Sequence, residues 1–342
     1  MERKVLIIYT GGTIGMIKDP KTKALVPFDF ENITKNVPEM KRFDFTVKSM
    51  SFNPIIDSSA MGPDVWINIG EIIEKNYDCF DGFVVLHGTD TMAFTASALS
   101  FMLHNLQKPV ILTGSQLPMG EIRTDGKENL LTALEIAAAH KDGVALVPEV
   151  CIYFQDFLFR GNRTTKFNAE NFRAFQSDNY PPLAEAGVHI KYNTQYIRCE
   201  KNESQFRSAK KMDENVSILT IFPGITKNVV EAALNAPGVK AVVMKTFGCG
   251  NAPLHKWFLD TLKNAIDKDK IILNVTQCRM GSVDMKRYET GINLLESGVI
   301  GGKDITTEAA VTKLMYLLGN RKSKKIILSE LEQSLKGEIS VF

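Results

Sequence analysis

Three short apolar runs in the first third of the chain, residues 5–9, 83–86 and 110–112, each stop at a turn that combines glycine with hydroxyl side chains. Their hydrophobicity is nearly continuous rather than alternating, the pattern of a strand whose sheet is covered on both faces. Runs at 151–154, 217–222, 241–245 and 271–275 have the same character, and stretches with helical patterning lie at 91–106, 126–140, 227–235, 254–267, 307–318 and 329–336. Strands alternating with helices predict an α/β fold built on parallel sheets. At the start of the second helix, Asp125 and Glu128 have the spacing of a capping box, with Asp in place of Ser or Thr.

A chain of 342 residues divides into two domains at the usual domain size. We place the division at residues 192–215, a polar, charged stretch with little periodicity in which Lys210 and Lys211 read as solvated cations. The expected domains are a catalytic one over 1–191 and a smaller α/β one over 216–342. Lys plus Arg number 41 against 39 Asp plus Glu, and the resulting net charge of +2 gives no strong field for nucleic acid or an anionic membrane. No apolar run approaches the roughly 18 residues of a membrane helix, and the one behind Met1-Glu2-Arg3-Lys4 is too short for a secretory leader. Cys79, Cys151, Cys199, Cys249 and Cys278 are widely spaced without a C-x-x-C pair, and the five histidines form no H-E-x-x-H. Reduced cytoplasmic thiols and no metal site are expected.

Ligands of open α/β sheets bind beyond the carboxyl ends of the strands. Those ends carry Thr10-Gly11-Gly12-Thr13-Ile14-Gly15, His87-Gly88-Thr89-Asp90-Thr91-Met92 and Thr113-Gly114-Ser115-Gln116. A dinucleotide fingerprint would need glycine at position 10, where Thr10 stands. A threonine nucleophile needs a proton acceptor and a charge to organise it, and Asp90 with a lysine would serve. Asp90 equally suits a helix cap before Thr91. Arg160, Arg163 and Lys166 repeat at spacing three, which by composition reads first as a solvated surface loop.

Together these segments resemble the bacterial L-asparaginase family, most closely its cytoplasmic type I branch. The resemblance rests on Thr10-Gly11-Gly12-Thr13-Ile14-Gly15, on His87-Gly88-Thr89-Asp90-Thr91-Met92 and on Gly161-Asn162-Arg163-Thr164-Thr165-Lys166. It extends through Ile56-Asp57-Ser58-Ser59, Gly114-Ser115-Gln116, Gly248-Cys249-Gly250-Asn251-Ala252-Pro253 and Gly298-Val299-Ile300-Gly301-Gly302, from residue 5 to about 320. It implies a two-domain α/β fold, a larger N-terminal doubly wound sheet with a smaller C-terminal α/β domain. It also implies hydrolysis of L-asparagine to L-aspartate and ammonia, without cofactor or metal.

By the same resemblance Thr13 attacks the side-chain amide carbon, and Thr89, Asp90 and Lys166 form a second catalytic group. Ser58 would bind the α-carboxylate, supported by Asp57 and Ser59, and Asp90 the α-ammonium. Backbone N–H groups at Gly12 or at Gly88-Thr89 would hold the oxyanion, and Ser115 joins the substrate-binding set. Subunits would pair as homodimers or homotetramers. Lys245 stands where some type I enzymes use an arginine for an effector asparagine, and lysine lacks the bidentate fork that suits a carboxylate. Asp90 favours the protonated form of Lys166 while burial opposes it, so the lysine either takes a proton or orients Thr89.

Two alternatives are weaker. A tRNA-dependent amidotransferase subunit shares the threonines but carries an extra N-terminal domain, whereas the catalytic strand here begins at residue 5. A binding-only module would have little need of both hydroxyls and the lysine. One departure from the family stands out: the lid segment 17–28 has no tyrosine, and Leu25 stands near the place expected for one. A lid that works mainly by excluding water, with Leu25 packed over the site, is the expectation.

Overall fold

The structure, a computed structural model, describes residues 2–18, 22, 25–27, 37–199, 204–321 and 323–341. Two compact units divide the chain, Met1–Lys210 and Lys211–Phe342.

The first unit is built on an eight-stranded sheet. Its strands are β1 (Lys4–Tyr9), β2 (Thr46–Ser51), β3 (Gly82–Leu86), β4 (Val110–Thr113), β5 (Val150–Phe154), β6 (Phe157–Arg160), β7 (Ala184–Ala186) and β8 (Ile190–Tyr192). The spatial order is β2-β1-β3-β4-β5-β6-β7-β8. The first five run parallel and the last three continue antiparallel. Helices α1 (Pro63–Asn76), α2 (Met92–Met102) and α3 (Gly126–Ala138) cover it.

Pleating sends alternate residues of each run to opposite faces. Val5, Ile7 and Tyr9 pack with Leu130, Ala133, Leu134 and Ala137 of α3. Leu6 and Ile8 pack with Ile69 and Ile73 of α1 and with Ala93, Ala96 and Leu99 of α2. Both faces are therefore covered, which is why the central strands read as continuously apolar. Strand order reverses direction between β1 and β3, the switch point at which doubly wound sheets bind ligands.

The second unit has a four-stranded parallel sheet, β9 (Val216–Thr220), β10 (Ala241–Thr246), β11 (Ile271–Thr276) and β12 (Ile300–Gly301), in that order. Helices α4 (Lys227–Asn235), α5 (Lys256–Asp267), α6 (Glu289–Glu296), α7 (Thr307–Asn320) and α8 (Lys324–Leu331) complete it. One core joins Val230 and Leu234 of α4, Phe258 and Leu262 of α5, and Val242, Met244 and Ile272 of the sheet. Lys313 of α7 and Glu338 form an ion pair at 2.6 Å with both side chains fully buried.

Several sequence expectations change here. The helix expected over 91–106 ends at Met102, and Leu103–His104 turns extended to pair with Arg207–Ser208. The apolar pattern continues because Leu103 and Leu106 remain in the same core without being helical. The last helix is Lys324–Leu331 rather than 329–336, since Glu338 accepts the N–H groups of Leu335 and Lys336 and holds that stretch as a turn. The strand expected over 217–222 ends at Thr220; it lies at a sheet edge with Ile218 exposed, and Phe222 is 49% exposed beyond it. Strand β2 and helix α1 were not anticipated, although Trp66, Ile69 and Ile73 mark a buried helical stripe. Lys210 is not merely solvated: it pairs with Glu74 and approaches Glu71 at 3.9 Å. The expected joining segment includes Glu200–Glu203, outside the described residues.

The capping box is also absent. Asp125 makes no side-chain cap to α3. Its carboxylate instead accepts the N–H groups of Gln116, at 3.1 and 3.0 Å, and of Leu117 at 3.1 Å, fixing the turn that follows β4.

Candidate active site

The loops leaving β1 and β3 meet backbone to backbone. Gly12 has φ +92°, a left-handed conformation that favours glycine, and a Cβ on it would lie 2.4 Å from the Gly88 nitrogen. A Cβ on Gly11 would lie 2.1 Å from the Ile56 carbonyl oxygen. The Thr10 N–H and hydroxyl both donate to the Leu86 carbonyl at 3.0 Å, and the Ile56 N–H donates to the Thr10 carbonyl at 2.8 Å. Three segments are thus tied together: the turn carrying Thr13, the turn carrying Thr89, and the stretch leading into Asp57-Ser58-Ser59. Thr13 and Thr89 are each the residue after the glycine at that contact, and both are partly exposed.

Lys166 links two of the expected residues directly. Its Nζ donates to Thr89 Oγ1 at 2.8 Å and to Asp90 Oδ1 at 2.7 Å. The lysine is brought there by a short ladder in which Thr165–Lys166 pairs with Phe175–Gln176. Its side chain is 16% exposed and that of Asp90 68%. Asp90 therefore serves as the lysine's partner, and the N-cap position of α2 falls to Thr91.

Gln116 is a contact that the sequence reading named without a role. Its Nε2 donates to the carbonyls of Ala169 (3.0 Å) and Asn171 (3.1 Å), which fixes which amide atom faces Thr89. The remaining Oε1 accepts from Thr89 Oγ1 at 3.2 Å. The Thr89 hydroxyl thus receives a hydrogen bond from Lys166 and donates its own proton to Gln116. Position at the end of β4 was the available signal for Gln116.

The cationic run at 160–166 is not a solvated loop. Arg160 and Arg163 are buried, and Arg160 makes two bonds to Glu149, at 2.6 and 3.1 Å. Both guanidinium groups lie over the Tyr180 ring. This packing anchors the chain just before Lys166.

Ser58 is buried and its Oγ lies 2.5 Å from where a Gly88 Cβ would stand, so that side chain faces the β3 turn. The Ser58 carbonyl accepts from Thr91 Oγ1 at 2.6 Å. Asp57 Oδ1 accepts the Ser59 N–H at 2.8 Å and the Ser59 hydroxyl at 2.7 Å, which hold the Asp57 carboxyl below its ordinary pKa. Ser115 is buried and its hydroxyl donates to the Leu117 carbonyl at 2.6 Å, within its own turn. Among the described residues no three His, Cys, Asp or Glu side chains are grouped to hold a metal ion.

The expected lid is described in part. Met16–Lys18 and Leu25–Pro27 form an antiparallel ladder with Lys18 opposite Leu25. Asp19–Lys21, Lys23, Ala24 and Phe28 lie outside the described residues, as does the placement of the Leu25 side chain.

The family description "Asparaginase, N-terminal" matches residues 4–198 and "Glutaminase/Asparaginase C-terminal domain" matches residues 215–329. L-asparaginase 1 of Escherichia coli is 44% identical over 343 residues, 99% of this chain and 98% of that protein. The 60 kDa lysophospholipase of Mus musculus is 40% identical over 99% of this chain and 63% of its own length. The crystal structure of L-asparaginase I from Vibrio cholerae superposes with a TM-score of 0.91 at 42% identity, covering 100% of both chains. With both halves matched, and with paired threonine turns at the switch point of a doubly wound sheet, this chain belongs to the asparaginase family.

Proposed function

We propose that this protein hydrolyses the side-chain amide of L-asparagine to L-aspartate and ammonia, with Thr13 as nucleophile and Thr89, Asp90 and Lys166 as the group that manages its proton. The observation that carries this reading is the Lys166 ammonium held between Thr89 Oγ1 and Asp90 Oδ1. The Thr13 hydroxyl attacks the amide carbon and forms a tetrahedral oxyanion, which backbone N–H groups at Gly12 or Gly88-Thr89 stabilise. The Thr13 proton is relayed through the Thr89 hydroxyl and Lys166 to the amide nitrogen, so collapse expels ammonia and leaves an acyl-enzyme on Thr13, which water then hydrolyses. Ser58 takes the α-carboxylate and Asp90 the α-ammonium, with Asp57 and Ser59 bracing that end and Ser115 shaping the turn behind it. Fixed geometry of this kind supplies about 7–11 kcal/mol of the barrier in well-oriented reactions.

The working unit in this reading is a cytoplasmic homodimer or homotetramer. The segment 192–215 joins a catalytic domain to a smaller one, and no metal or cofactor takes part. The relative from Escherichia coli supports the substrate by its name and its full-length similarity. A coupled ammonia-release assay on L-asparagine beside L-glutamine, run with and without chelator, tests the reading. Turnover of asparagine with strong preference over glutamine, unaffected by chelator, is the expected result; comparable kcat/KM on both amides would overturn the specificity.

A further inference from the structure

Thr13 stands in a turn bounded by Gly12 and Gly15, and the two glycines are required for different reasons. Gly12 has the left-handed φ already described and meets the Gly88 backbone. Gly15 has no positive φ, so alanine could adopt its backbone. What excludes a side chain there is Tyr9. A Cβ on Gly15 would lie 2.1 Å from the Tyr9 Cζ, 2.1 Å from its hydroxyl oxygen and 2.4 Å from its Cε2. Thr13–Gly15 closes as a single 3-10 turn, with the Gly15 N–H donating to the Gly12 carbonyl at 3.2 Å. That turn rests on the far end of the Tyr9 ring.

Tyr9 is built as a post. It is the last residue of β1, and its backbone is in register with Ser51 of β2 on one side and Leu86 of β3 on the other. Its side chain is 1% exposed and shares a core with Ile14 and with Leu130, Ala133 and Leu134 of α3. A ring enclosed at that packing density cannot swing aside, whereas the partly exposed Thr13 can move. Burial pushes the phenol pKa up to about 12, so the hydroxyl stays neutral and the contact is one of shape, not charge. We propose that Tyr9 is a positioning residue: its ring sets the height of the Thr13–Gly15 turn above the sheet, and with it the approach of the Thr13 hydroxyl to the amide carbon. A misplacement of about 1 Å is enough to cost about 100-fold in rate. This inference rests on the amide-hydrolase reading above, in which Thr13 is the nucleophile.

The test exchanges volume between the two positions and measures kcat and KM for L-asparagine, Kd for the product L-aspartate, and melting temperature. Gly15→Ala drives a methyl into the ring and should lower kcat about 100-fold by lifting the turn. The L-aspartate Kd should stay within about three-fold, because Ser58 and Asp90 hold the product from other segments. Tyr9→Phe keeps the ring and should retain kcat within about three-fold, while Tyr9→Leu leaves the turn unsupported and should lower it about ten-fold. Gly15→Ala combined with Tyr9→Leu should recover at least about ten-fold over Gly15→Ala alone, since the leucine vacates the space the methyl needs. Gly15→Ala combined with Tyr9→Phe should recover nothing, because Cζ and Cε2 remain in place. Tyr9→Ile carries the exchange if Tyr9→Leu does not fold. Wild-type kcat in Gly15→Ala, whether or not its melting temperature falls, overturns the inference. So does a double variant with leucine or isoleucine no faster than Gly15→Ala, or equal recovery with phenylalanine. A wild-type protein that releases no ammonia overturns the hydrolase reading itself; normal wild-type turnover with a failed exchange strikes only the role of Tyr9.

Discussion

Two lysine–carboxylate pairs of nearly equal length stand in opposite surroundings. Lys166 and Asp90 meet at 2.7 Å with the carboxylate largely open to solvent. Lys313 and Glu338 meet at 2.6 Å with neither side chain exposed. Water screens the first pair, and such pairs contribute about 0–1 kcal/mol to stability. It leaves room for the ammonium to engage a third group, the Thr89 hydroxyl. The second pair has no third reactant. Its remaining valences go to backbone: Lys313 donates to the carbonyls of Leu331 and Gln333, and Glu338 accepts from Leu335 and Lys336. Distance alone does not distinguish a pair that also engages a neighbouring hydroxyl from one that fastens a chain segment; exposure and the third partner do.

The strongest way to break this comparison is to remove each lysine in turn. Lys166→Met should lower kcat by about 1,000-fold or more, as removal of a member of a concerted catalytic group does. The melting temperature should hardly move. Thr89→Val should be equally damaging, and the double variant little worse than either. A melting temperature lowered as far as in a core variant would erase the distinction. Lys313→Met should cost about 3–5 kcal/mol of stability by stranding a buried carboxylate, read by urea denaturation. Lys313→Met combined with Glu338→Leu should recover most of that loss, because the stranded charge is gone.

Acid titration sharpens the contrast on a smaller scale. His87 has its folded pKa depressed from 6.5 to about 4, so between those values the unfolded chain binds a proton that the native unit does not. Stability of Met1–Lys210 should be full above pH 6.5 and decline toward pH 4, by about 3 kcal/mol at 1.36 kcal/mol per pH unit. Burial pushes Glu338 up, but the Lys313 ammonium and two backbone N–H groups outweigh it and leave its pKa below the ordinary 4.5. Its contribution should persist to lower pH and vanish as pH falls through that depressed value. Amide hydrogen exchange at Val84 and at Leu314 follows the two units separately; a pH-independent Val84 above pH 4 would contradict the assignment for His87. The smallest effect belongs to Lys210→Ala, whose exposed pair with Glu74 should be worth less than about 1 kcal/mol.

Legibility followed the chain distance over which each feature is determined. The central strands could be read because burial on both faces leaves a local mark, and their glycine-threonine ends located Thr13 and Thr89. Recognition of the motif, not spacing, brought in Lys166, which meets Asp90 across 76 residues of chain. Arg160 and Arg163 looked solvated because composition carries no sign of Glu149 or Tyr180 waiting beside them. Asp125 matched a local capping pattern and was claimed instead by the turn after β4. The hydrogen bonds linking Trp66, Thr95 and His87 draw on α1 and α2 at once, so no window of sequence displays them.

The contact between Gly12 and Gly88 gives the site a peculiar mutational landscape. Replacing glycine by any other amino acid adds at least one carbon, and at Gly12 that carbon meets main chain that cannot rotate aside. The spacing between the two threonine turns is therefore a quantised dimension: it has no slightly larger setting reachable by a single conservative step. Side chains around the two turns can be exchanged by degrees, while the gauge between the Thr13 turn and the Thr89 turn stays fixed.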